Sequence, residues 1–94
     1  MLKERGPTEL SFVVLASTNP RILDLWHVEP IEDWSAGNAR GRDIADECLT
    51  YMKERESPMF LGHVAQAIAS KNRFGSVEVG FFHRIAECAM TSID

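Results

Sequence analysis

The chain is 94 residues long, 45% hydrophobic and 26% charged, the composition of an ordinary globular domain and not of a disordered tail or a collagen-like repeat. No apolar run approaches the roughly 18–20 residues that a membrane-spanning helix needs. The net charge of −4, from ten basic and fourteen acidic side chains, does not supply the positive field on which nucleic-acid binding draws.

Residues 1–7 read as a flexible N-terminal tail. Lys3 and Arg5 precede the apolar residues 10–16 much as in a secretory leader, but Glu4 and Glu9 break that charge pattern. A cytoplasmic location is therefore expected. The acidic excess lies wholly in residues 1–56, with seven basic and eleven acidic side chains, whereas residues 57–94 carry three of each.

Gly6, Pro7, Thr8 and Glu9 make a helix start, since proline suits the first turn, where its missing N–H has no partner to lose. The following Leu10, Ser11, Phe12, Val13, Val14 and Leu15 are rich in β-branched and aromatic residues and would also pass as a strand. A lone strand would have nothing else in the chain to pair with, so a buried helix over 8–17 is the more consistent expectation, with the strand left open. Asn19 and Pro20 start a second short helix over 20–27, carrying Ile22, Leu23, Leu25 and Trp26.

Pro30, followed by Glu32 and Asp33, starts the third and longest helix, over 30–56. Its period is the clearest in the chain: Ile44, Ala45, Cys48, Leu49, Tyr51 and Met52 share one side, while Arg40, Arg42, Asp43, Asp46, Glu47 and Lys53 take the other. Within the apolar side Gly37, Gly41 and Ala45 form a ridge of small residues. Each helical glycine costs about 1 kcal/mol relative to alanine, and close approach of a partner helix would offset it. A fourth helix over 58–71 follows Ser57 and Pro58, with Phe60, Leu61, Val64 and Ile68 on one side. The fifth, over 76–92, has a wide apolar arc that includes Val79, Phe82, Ile85 and Ala89. The expectation is thus an all-α fold, a single-domain bundle of about five helices joined by short loops.

No catalytic or cofactor motif is present. His83 and Glu87 are spaced i, i+4 and could share a metal ion, but no His-Glu-x-x-His or Cys-x-x-Cys pattern supports them. Asp43, Asp46 and Glu47 cluster on the solvated side of the long helix, without apolar surroundings to raise a carboxylate pKa. Cys48 and Cys88 are too few for a disulfide scaffold and read as reduced thiols.

Two binding surfaces can be drawn. The basic turn after the fourth helix, with Lys71 and Arg73 and then Arg84, gives a helix–turn–helix-like DNA-binding alternative. Against it, the next helix opens with Ser76, Val77, Glu78 and Val79, which are poor readers of base edges. The preferred surface is for protein: Val77, Phe81, Arg84 and Cys88 form an edge of the last helix with aromatic and arginine residues of the kind enriched in interface cores. The expected function is contact with another protein, as a regulator, inhibitor or adaptor, or with a second copy in a homodimer. A small enzyme or metal site formed between subunits is a further alternative. No cofactor and no membrane partner is expected.

Overall fold

The computed structural model of the chain describes residues 6–91. Over residues 1–7 the expected tail falls outside them as far as residue 5, and position 92 at the end of the last expected helix also falls outside. Pro7 does open a helical turn, but the turn stops after Pro7–Glu9, with the Leu10 amide donating to the Pro7 carbonyl at 3.1 Å. Beyond it the β-branched run behaves as strand. β1 (Val14–Thr18) pairs antiparallel with β2 (Arg21–Asp24), from Val14 opposite Asp24 to Thr18 opposite Arg21, with a bulge between Leu15 and Ser17. The His27 amide extends the ladder by donating to the Phe12 carbonyl at 2.9 Å.

These strands overturn the expected all-α bundle. Among the described residues the fold is mainly helical, with three α-helices and a two-stranded sheet. The helices expected over 8–17 and 20–27 are the two arms of one hairpin. Asn19 and Pro20, joined by a cis peptide bond, form its turn and do not start a helix. The physical ambiguity lies in proline, whose fixed φ and missing N–H suit a turn as well as a helical first turn. The partner strand that β1 needs is β2, within the segment whose sequence suggests a helix over 20–27.

After β2 the chain bends at Leu25 and takes no regular structure as far as Ile31, and Asp33 starts the next helix, its carboxylate accepting from the Ala36 amide at 3.0 Å. That helix, α1 (Trp34–Arg55), begins four residues later than expected. Lys53 and Arg55 suit its negative C-terminal end, and Glu56 closes it in the left-handed region at φ 50°. α2 (Met59–Ser70) and α3 (Ser76–Thr91) lie close to their expected positions. The turn between them includes Asn72 at φ 57°, a conformation that asparagine tolerates. Among the described residues no helix is long and apolar enough to cross a membrane.

The contacts between α1 and α3 advance together along both helices: Gly37 lies by Ser76, Gly41 by Val77 and Phe81, and Asp46 by Arg84. The two helices therefore run parallel, with α2 carrying the chain back. Their backbones touch where glycine permits it. A Cβ on Gly41 would lie 2.0 Å from the Val77 carbonyl oxygen, and one on Gly80 would lie 2.3 Å from that of Asn38. The expected small-residue ridge meets α3, and Gly80 is its counterpart on that helix. At the centre of the core, Trp26 sits between Phe12 and Phe81, with ring centroids 6.0 and 5.0 Å away. Tyr51 of α1 meets Phe60 of α2 at 4.8 Å.

Candidate functional site

A groove of about 770 Å³ lies against the C-terminal half of α1. Asp46, Leu49, Thr50 and Lys53 present one helical stripe to it, and Met52 and Glu56 border it. Ser57 and Pro58 close one end from the turn after α1, and Cys88 reaches it from α3. The floor is apolar, made by Leu49, Met52, Pro58 and Cys88. The rim carries both signs of charge, with Asp46 and Glu56 against Lys53. Its volume falls in the range that accommodates a ligand or a few side chains of another chain.

The residues chosen from sequence for a protein interface are divided by the fold. Val77 and Phe81 are 1% and 0% exposed and belong to the core. The edge Val77, Phe81, Arg84, Cys88 is the seam that α3 turns toward α1, so the element meeting its first half is part of the same chain. Only Arg84 and Cys88 reach the surface, and only Cys88 lines the groove. Arg84 donates from Nε to Asp46 at 2.8 Å and from Nη1 to Glu87 at 3.4 Å. Those hydrogen bonds, first that of Asp46, hold its guanidinium even further above neutrality than usual.

The metal candidates are likewise separated in role. Glu87 receives a two-pronged grip from Arg42, with Nη2 at 2.9 Å and Nη1 at 3.2 Å, which holds its carboxyl below the usual range. His83 is exposed. Among the described residues no group of three or more His, Cys, Asp and Glu side chains is placed to hold a metal ion. The acidic cluster also disperses: Asp46 goes to Arg84, while Glu47 accepts from both the amide (2.9 Å) and the hydroxyl of Ser11.

Of the residues named for DNA, Lys71 donates to Asp24 at 2.8 Å and Arg73 donates to the Val28 carbonyl, while Arg84 lies among the carboxylates of Asp46 and Glu87. Two of the three charges are thus already paired with carboxylates. Glu78, which looked out of place on a recognition helix, is buried. Its Oε1 accepts from the Gly75 amide at 2.8 Å, and its Oε2 accepts from the Trp26 indole N–H at 2.9 Å.

Both thiols are free. Burial, with the Glu47 charge adding to it, pushes the Cys48 thiol up to about 12, which suppresses the reactive thiolate. The groove went unrecognised in the sequence because it straddles the boundary of the α1 amphipathic pattern. In the helical period Leu49 and Met52 fall with the apolar side, Asp46 and Lys53 with the solvated side. The usable signal was the i, i+3, i+4, i+7 spacing of Asp46, Leu49, Thr50 and Lys53. No family model, no curated protein and no solved structure matches this chain.

Proposed function

We propose that this protein acts through contact with another polypeptide, as a regulator, inhibitor or adaptor, and that the groove beside α1 is its contact surface. The observation that carries this reading is the groove's chemistry: an apolar floor of Leu49, Met52, Pro58 and Cys88 inside a rim of mixed charge. Apolar centres with polar rims are the usual anatomy of protein interfaces. Methionine at Met52 adds an adaptable surface, since its unbranched thioether fits irregular partners. A cytoplasmic setting belongs to the same proposal and is supported by the unbridged Cys48 and Cys88.

The test is site-specific photocrosslinking in the native cell. A photoreactive residue in place of Leu49 is expected to give a discrete adduct, and the same residue in place of Asp43, outside the groove, is expected to give none. The reading fails if position 49 gives no adduct, or if both positions give the same pattern.

A further inference from the structure

The stripe that α1 presents to the groove, with Leu49 half-buried and Asp46, Thr50 and Lys53 exposed, has a property that a foreign partner does not require. A two-fold axis passing between Leu49 and Thr50, perpendicular to the helix, exchanges position 49 with 50 and position 46 with 53. The acid at one end of the stripe is thereby brought to the base at the other end. Lys53 is exposed and in no ion pair among the described residues. Asp46 gives one oxygen to Arg84, yet its side chain remains 56% exposed, so the other oxygen is open to a further cation.

We propose that the occupant of the groove is a second copy of this chain, with α1 packed antiparallel against its counterpart about that axis. This rests on the groove reading above and names its partner. Each Asp46 then faces the partner's Lys53 and each Lys53 the partner's Asp46, so one stripe generates two identical ion pairs, as a closed isologous contact requires. Leu49 and Thr50 flank the axis, so the apolar centre of the contact is Leu49 of each copy, with Met52 beside it. Had both ends of the stripe been acidic, the same antiparallel approach would have set like charges against each other. Charge order therefore favours a reversed copy of the stripe itself. Exposed ion pairs add little affinity each, so they fix the register while burial of Leu49 and Met52 supplies the attraction.

Sedimentation equilibrium on the full chain tests this with three variants. Wild type is expected to dimerise as concentration rises, and Leu49→Arg is expected to stay monomeric with an unchanged circular-dichroism spectrum. Lys53→Glu and Asp46→Lys, each alone, set like charges face to face at both pairs and are expected to weaken dimerisation about tenfold. An equimolar mixture of these two variants restores opposite charges at both pairs, so it is expected to regain most of the wild-type affinity. That recovery cannot come from a folding defect in either variant. A wild type still monomeric at about 1 mM overturns the second copy. So does a mixture that fails to recover, or single variants that dimerise as wild type does. These failures leave the groove reading standing if Leu49 adducts still form. If the second copy is the occupant, the adduct has twice the mass of the chain.

Discussion

Glu78 is 3% exposed, and each of its carboxylate oxygens has a donor: the Gly75 amide at the first turn of α3, and the indole N–H of Trp26, itself fully buried. One side chain thus caps a helix and fixes the central aromatic residue of the core. Among the described residues no buried side-chain polar atom lacks a partner, and Glu78 is one reason. Glu78→Ala leaves the indole N–H without an acceptor inside the core and removes the cap, an expected loss of about 3 kcal/mol. Glu78→Gln keeps the shape and one acceptor oxygen, so about 1 kcal/mol is expected. Urea denaturation followed by Trp26 fluorescence separates the two, and equal losses would contradict the two-donor account. The two thiols should also behave differently. Cys88, half-buried at the groove, is expected to react with a thiol reagent in the native protein, and Cys48 only after denaturation. One equivalent of reagent consumed natively and a second in denaturant is the expected count.

At the scale of elements, the parallel contact of α1 and α3 depends on backbone approach. A Cβ added at Gly41 would meet Val77 and Phe81 backbone atoms at 2.0 and 2.5 Å, and backbone cannot rotate aside. Gly41→Ala is therefore expected to destabilise by about 2 kcal/mol despite alanine's better helix propensity. Gly62, on α2, has nothing within 4 Å of an added Cβ. There the propensity gain stands alone, and Gly62→Ala is expected to raise Tm by roughly 4 °C. The two alanine substitutions should move the melting temperature in opposite directions, and calorimetry giving the same sign for both would refute the close-packing account. The ridge Gly37, Gly41, Ala45 was readable in the sequence because a helix displays its own faces at a 3.6-residue period, and the positions of α2 and α3 were readable for the same reason. The hairpin was not. Arg21, Ile22, Leu23 and Asp24 make a strand too short to show a period, and Asn19 and Pro20 suit either a turn or a helix start. The division of the interface edge between core and surface has a related cause. The pattern of α3 shows that Val77 and Phe81 form an apolar edge, but not that the small-residue ridge of α1 already covers it. Covering is a relation between two elements, and each pattern describes only one.

At the scale of the whole molecule, ion pairs join segments far apart in sequence, and two of them make stability depend on pH. Asp24, at the end of β2, accepts from Lys71 at the end of α2 at 2.8 Å, and its other oxygen accepts from the Trp26 amide at 3.1 Å. Burial works against its charge, but the Lys71 hydrogen bond, the Trp26 amide, the Lys71 charge and the neighbouring His27 together hold its carboxyl below the ordinary value of 3.8. Glu87, gripped by Arg42, is held below 4.5 in the same sense. As pH falls, the unfolded chain binds protons at these groups before the folded one does. Their contribution is therefore complete above the unfolded pKa values, and it is lost as pH falls through them toward the lower folded ones. Urea midpoints should hold steady from about pH 7 to 5 and drop between about pH 4.5 and 3. Asp24→Asn removes the Lys71 tie, so it should cost about 1 kcal/mol at neutral pH, and the gap to wild type should close as pH falls. Curves for the two proteins that stay parallel down to about pH 3 would mean that Asp24 keeps its ordinary pKa when folded, and that its tie to Lys71 is not a source of the pH dependence.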